Sequence, residues 1–354
     1  MISGDRGLAQ GKQGAFYNTL EEMHLYWDRI DIICPHVDNQ KVNEVFGNVF
    51  IHASPWPLLW QSKFVYTKGL ELFKKHQFHI MTIHEYPPFY NGLGAYFLAR
   101  ETKVPYVLEV HHIPGYPKAG GLKEFFYRLF ARVFMESDAR HAAKVRVVNQ
   151  HQVPEFLMRA GVPKQKILHA PSLYIDHGVF RPLNEPKEYD MIFVGRLAEN
   201  KGIDLFISAA KKLGAKALIV GEGSERARIQ QEIEGHSNII LHGWAKDSIE
   251  IARLMNKSRM LVMPSFNEGG PRVVVEAMAC GVPVLATPVG VVPDLNNSCV
   301  GIDWNADRIA AEVKKLLASP EAQAYYSHAG IEAAKEFDKK ATVQNYAEQL
   351  KALT

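Results

Sequence analysis

Two Rossmann-like doubly wound α/β domains facing a cleft are what this sequence predicts, and three observations carry the expectation. Short β-branched or apolar runs alternate with helical patterns along nearly the whole chain. A polar connector with prolines at 182 and 186 separates two such series. Glycine-containing turns follow several apolar runs of the second series. Continuous apolar strands alternating with helices form parallel sheets covered on both faces. Ligands of such sheets sit at the carboxyl ends of the strands.

In the first series the expected strands are RIDIIC (29–34), NVFIHA (48–53), FHIMTIH (78–84), PYVLEV (105–110) and KVRVVN (144–149). FYNTLEEMHLYW and FVYTKGLELFKKH lie between them with helical spacing. In the second series they are DMIFVG (190–195), KALIVG (216–221), NIILHG (238–243), MLVMPS (260–265) and VPVLAT (282–287). GIDLFISAAKKL, SERARIQQEIE, SIEIARLMNK and PRVVVEAMA are the intervening helices, and the last 28 residues read as helices too. The division is therefore residues 1–181, residues 182–335, and a closing helix at 336–354 that returns to the first domain. MIS is too short for a good first strand, although GDRGLAQGKQGAF after it has the look of a strand-to-helix loop. A longer natural start and a stunted first strand both fit.

Composition narrows the class. With 354 residues, 47% hydrophobic and 22% charged, the chain is an ordinary globular protein long enough for about two domains. No run reaches the roughly 18 apolar residues of a membrane span, and Asp5 and Arg6 interrupt any amino-terminal signal core. Three widely spaced cysteines, Cys34, Cys280 and Cys299, suit core residues of a reducing compartment, and the cytoplasm is the expected location. The net charge of +3 is too small for a nucleic-acid partner. Residues 1–181 hold 21 basic against 16 acidic side chains and residues 182–354 hold 20 against 22, a bias that suits an anionic partner or is ordinary scatter.

The stretch SFNEGGPRVVVEAMACG (265–281) puts Glu268 just before a helix expected over 271–279 and Glu276 in its second turn. Pro271 suits the first helical position and Gly281 the end. Free N–H groups at such a start welcome an anion, and Gly269 and Gly270 let a ligand approach the backbone. Two carboxylates flanking an anion site fit a ligand with phosphates in the middle and hydroxyls at both ends, that is, a nucleotide-sugar. A capping acid and a solvated helix acid fit the same spacing. In FVGRLAENKG, Gly195, Arg196 and Lys201 emerge at the end of the first strand of the second domain, where phosphates would sit. Hydrogen bonds to charged groups contribute about 1.5–3 kcal/mol each against about 0.3–1 kcal/mol for a helix dipole, so these two cations should dominate diphosphate binding. VGEGSER (220–226) and HGW (242–244), with Gly243, supply two further loops on the same sheet edge.

VGRLAENKG, IVGEGSER, ILHGW and MPSFNEGGPRVVVEAMACGVPVLATPVG, in this order, resemble the retaining glycosyltransferases of the GT-B fold, family 4 (glycosyl transferases group 1). The resemblance implies a sugar transferred from a nucleoside diphosphate to a saccharide or lipid-linked acceptor, with retention at the anomeric carbon. It implies that Glu268 contacts donor-sugar hydroxyls, that Glu276 holds the ribose, and that Arg196 and Lys201 stabilise the departing diphosphate. Backbone at Gly269, Gly270, Pro271 and Arg272 would meet sugar and phosphate, and backbone near Gly243 the base. His111, with His112 as the competing choice, resembles the first-domain histidine of the donor-sugar pocket, and Gly14 the first-domain loop. EGGPR replaces the family's common EPFG between the glutamates, so sugar contacts are expected to differ.

No cofactor or metal is expected: there is no DxD, and the histidine pairs lack zinc-like spacing. GEGSER lacks the last glycine of a dinucleotide fingerprint. A nucleotide-sugar epimerase, a sugar synthase and a non-catalytic bilobed sugar-binding protein remain as other functions. In residues 122–146, Phe125, Phe126, Leu129, Phe130, Val133 and Phe134 share one helix face beside six basic residues. A helix lying peripherally on the inner face of a membrane would look like this, as would a core helix with a basic outer face.

Overall fold

The computed structural model describes residues 1–84 and 90–354. The chain divides into two compact units. The first comprises Met1–His111, Leu129–Ser172 and Lys339–Thr354, and the second His112–Arg128 and Leu173–Asp338. Residues 112–128, counted with the first domain on sequence grounds, thus pack with the second unit, and the division falls inside the helix Leu122–Arg140.

The first unit is built on strands β1 (Ile30–Cys34), β2 (Glu44–Val45), β3 (Val49–Ala53), β4 (Met81–His84), β5 (Tyr106–Val110), β6 (Lys144–Val147) and β7 (Ile167–His169). β1 pairs with β3 and β4 to β7 pair in sequence, all parallel; the short β2 runs antiparallel to β3. Ile2 makes parallel bridges to both Ile33 and Ile83 and so joins the two groups of strands. At the position of the expected first strand lies this single-residue bridge, continued by Ser3 N–H to the Ile33 carbonyl. Every residue of β1 and β5 is buried, as expected of strands covered on both faces. The closing helix Lys339–Lys351 belongs to this unit and buries Val343, Tyr346, Ala347 and Leu350 along one stripe.

The second unit carries β8 (Met191–Val194), β9 (Ala217–Val220), β10 (Ile239–Gly243), β11 (Leu261–Met263), β12 (Val284–Ala286) and β13 (Val300–Gly301) in the spatial order β10-β9-β8-β11-β12-β13. The strand order therefore reverses between β8 and β11. A doubly wound sheet opens its binding crevice at this switch point, outside the carboxyl ends. β7 and β13, each three residues or fewer, are too short to stand out in the sequence. Cys34, Cys280 and Cys299 are free thiols, the first two in the core.

Candidate active site at the switch point of the second unit

The loops leaving β8 and β11 meet directly. After β8 the chain passes Gly195 and Arg196 into a 3-10 turn, Glu199–Lys201, and then the helix Ile203–Leu213. After β11 it runs through Pro264, Ser265, Phe266, Asn267 and Glu268 to the helix Arg272–Ala279. Phe266 N–H donates to the Asn200 carbonyl at 2.8 Å. Gly202 adopts φ +64°, and a Cβ there would lie 2.2 Å from the Pro264 carbonyl oxygen, so only glycine permits this approach. The GEG turn packs as closely: a Cβ on Gly221 would fall 1.8 Å from the Gly195 oxygen, and one on Gly223 2.1 Å from that of Leu197.

This packing brings the Lys201 ammonium onto Oε1 of Glu268, and the Ser265 hydroxyl donates to the same oxygen at 3.0 Å. The two charged side chains are only 21% and 16% exposed, so the pair is shielded from water and its field is strong. Arg196 stands exposed nearby in sequence, with no acidic partner among the described residues. Pro271 occupies the N-cap and Arg272 opens the helix, one position later than expected, and the Arg272 guanidinium lies 5.1 Å over the Tyr174 ring. Glu276 is half-buried rather than solvated. Its carboxylate has no hydrogen-bond partner among the described residues, and burial, only partly offset by Arg272, pushes its carboxyl up to about 7.

Around this core lies support that local sequence reasoning misses. Asn267, buried, donates from Nδ2 to Oε2 of Glu124 at 2.8 Å and to the Lys118 carbonyl at 3.0 Å. Gly120 N–H donates to the same Glu124 oxygen at 2.8 Å. The segment His112–Arg128 is thereby fastened to the loop that carries Glu268. The Lys118 ammonium sits 5.1 Å from the Phe266 ring centroid and 5.0 Å from that of Trp304, whose indole N–H donates to the Ser265 carbonyl. A Cβ on Gly290 would meet the Gly269 oxygen at 2.5 Å, so the loop after β12 braces the glycine pair. Gly270 is less constrained, since an added Cβ would meet only Leu173, at ordinary contact distance. Gly243 has φ +83° and accepts from Gly221 N–H at 2.7 Å, closing the row of loops.

The two histidines part company. His112 belongs to the second unit, and its imidazole feels the charges of Glu268, Glu124, Lys201 and Arg196. His111 belongs to the first, with Nε2 3.3 Å from Oε2 of the buried Glu109. Gly14, also in the first unit, is the N-cap of the helix Ala15–Met23, with open space where a Cβ would be. His84, Glu109 and His111 place three ligand-type atoms within 4.8 Å. A cation there would face the Arg146 guanidinium, 3.3 Å from the same carboxylate, which already supplies the positive charge.

Two doubly wound domains in one chain, one with a row of glycine loops around a lysine–glutamate pair at its switch point, define the GT-B class. The solved Anabaena protein Alr3699/HepE in complex with UDP and glucose shares the fold, with a TM-score of 0.75 at 18% identity over 99% of this chain and 98% of that one. Residues 22–171 match the family model of the glycosyl transferase 4-like domain and residues 179–333 that of glycosyl transferases group 1. The chain belongs to this glycosyltransferase family. Among its relatives, the D-inositol 3-phosphate glycosyltransferase of Segniliparus rotundus is 30% identical over 48% of this chain and 43% of its own length. An uncharacterized glycosyltransferase of Methanocaldococcus jannaschii, MJ1178, is 27% identical over 73% of this chain and 70% of its own. The match to the first of these relatives thus spans less than half of that relative's length.

Proposed function

We propose that the chain moves a sugar from a nucleoside diphosphate to a saccharide or lipid-linked acceptor with retention of anomeric configuration. The observation that carries this reading is the shielded pair of Lys201 and Glu268 at the switch point, one loop away from a half-buried Glu276 whose carboxylate has no hydrogen-bond partner among the described residues. Glu276 suits the two ribose hydroxyls as donors. Arg196 and Lys201 suit the diphosphate, and Glu268 suits hydroxyls of the sugar. In the reaction the bond from the anomeric carbon to the diphosphate oxygen breaks and its electron pair leaves with the phosphate. The acceptor oxygen bonds to the same face of that carbon, and its proton passes to the departing phosphate. Glu268 is engaged by Lys201 and Ser265, which favours hydroxyl positioning over nucleophilic attack. Catalysis then rests on positioning and on neutralising the leaving group. UDP in the solved HepE complex supports a nucleoside diphosphate donor here.

In a thermal-shift panel, nucleoside diphosphates and one nucleotide-sugar should stabilise the protein, by about 2.7 kcal/mol at a hundredfold excess over Kd. That nucleotide-sugar should be consumed once acceptor is present. No shift with any nucleotide would overturn the reading, and a free epimerised sugar formed without acceptor would replace it with an epimerase.

A second part of the proposal concerns the helix Leu122–Arg140. Leu122, Phe125, Phe126, Leu129, Phe130, Val133 and Phe134 are all exposed, at spacings of three and four, while Ala131, Met135 and Ala139 are the buried stripe. A core role for the aromatic face does not fit this exposure. Lys123 and Arg132 flank it, and in the first unit Lys63 lies near the rings of Trp56 and Trp60 beside exposed Leu59. Aromatic side chains edged by cations suit an anionic bilayer surface. The protein is expected to float with vesicles containing phosphatidylglycerol and not with phosphatidylcholine alone. Phe126→Glu with Phe130→Glu should abolish flotation, and flotation unchanged in that double variant would refute the assignment.

A further inference from the structure

We propose that Glu109 is a positioning residue, which fixes the tautomer of His111 and anchors both the amino-terminal loop and the carboxy-terminal helix to the end of β5. Glu109 is a carboxylate inside an otherwise apolar strand and is 1% exposed. Such a group persists only when fully engaged, and every direction around it is occupied. Oε2 lies 2.6 Å from His84 Nε2 and 3.3 Å from His111 Nε2. Oε1 lies 3.3 Å from an Arg146 guanidinium nitrogen and accepts a hydrogen bond from the Tyr346 hydroxyl. Arg146 cannot swing away. It donates to the carbonyls of Ala170 and Pro171, both at 2.9 Å, and stacks 3.6 Å over the Tyr346 ring.

Burial opposes the charged form of Glu109, but His84, Arg146 and the hydrogen bonds from both histidines outweigh it and hold the carboxyl well below its usual range. An ionised carboxylate only accepts hydrogen bonds, so His111 must carry its proton on Nε2 and present Nδ1 as a lone pair when neutral. The same logic runs outward through His84. Its Nε2–H serves Glu109, while Nδ1 faces the Ser3 hydroxyl at 3.2 Å. Ser3 Oγ also accepts from Asp5 N–H, and Asp5 accepts from Leu8 N–H, so the loop leading to Gly14 hangs on this chain of bonds. On the other side Tyr346 reaches Glu109 across 237 positions of sequence, making the last helix part of the support for His111.

This inference rests on the family resemblance by which His111, rather than His112, belongs to the donor-sugar pocket, and the test separates the two. Histidine-labelled full-length protein is observed by 15N NMR at neutral pH, with the His111 signal assigned by its loss in His111→Gln. The wild type should show the Nε2–H tautomer and Glu109→Gln a mixture of tautomers. Glu109→Gln should also lower kcat by about tenfold or more with nucleoside diphosphate affinity held within about threefold. Tyr346→Phe keeps the ring under Arg146 and removes only the hydroxyl, and should shift the His111 signals and lower kcat by about threefold to tenfold. An unchanged His111 tautomer in Glu109→Gln would overturn the positioning role. If that variant fails to fold, wild-type His111 signals and kcat in Tyr346→Phe would overturn it. A changed tautomer at wild-type kcat would leave positioning intact and remove His111 from the sugar pocket.

Discussion

Lys201→Ala is expected to lower kcat by about 10²–10³-fold, the range seen when one preorganised donor to a developing negative charge is removed. Two consequences add in this variant. The departing diphosphate loses the cation that stands at the switch point of the second sheet. Glu268, only 16% exposed, also loses its ion-pair partner and with it the geometry in which Ser265 holds it. Because the two side chains act as one unit, Lys201→Ala with Glu268→Ala should be far less damaging than the product of the single effects. Steady-state kinetics on the three variants checks this. Arg196, exposed and outside any ion pair among the described residues, should show a smaller loss that appears in donor affinity as much as in turnover.

Glu276→Ala is expected to weaken nucleoside diphosphate binding by about tenfold to a hundredfold, as the loss of hydrogen bonds from the ribose to a charged acceptor. The pH dependence is the sharper signature. With its carboxyl pushed up to about 7, Glu276 must lose a proton to accept from two hydroxyls, so affinity should fall as pH drops from 8 to 6. Glu276→Gln should bind more weakly at pH 8 and lose that dependence. Stability runs in the opposite direction. A folded-state value above the ordinary one favours the folded protein while Glu276 is protonated, and this contribution is lost as pH rises from about 4.5 through about 7. Glu276→Gln should therefore melt above the wild type at pH 8, with the gap closing below pH 4.5. Calorimetry at both ends of the range measures the two effects separately.

The parts of the fold that were legible in the sequence are those written locally. Apolar runs such as IIC, VLEV and ALIV became strands, and the glycines at 202, 221 and 243 marked the turns around the switch point because each sits at a positive φ. The pairing partners of distant residues left no such trace. Asn267 reaches Glu124 across 143 positions and Tyr346 reaches Glu109 across 237, and neither periodicity nor turn chemistry reports on such distances. Glu109 did leave a signal, a lone acid in a five-residue buried strand, although nothing nearby named its partners. The aromatic stripe of Leu122–Arg140 shows the limit of pattern reading: spacing reveals an apolar face, and whether it turns toward core or solvent depends on packing that spacing does not encode. Likewise the two glutamates eight positions apart suited capping and solvation equally well until Glu276 proved half-buried.

The central claim is that one ligand is held at two ends, its diphosphate by Arg196 and Lys201 and its ribose by Glu276. Calorimetric titration of the wild type, Arg196→Ala with Lys201→Ala, and Glu276→Ala with UDP, ADP and the corresponding nucleosides tests it directly. The double cation variant should erase the preference for diphosphate over nucleoside, and Glu276→Ala should weaken both while leaving that preference in place. A diphosphate preference that survives loss of both cations, or nucleoside binding indifferent to Glu276, would contradict it.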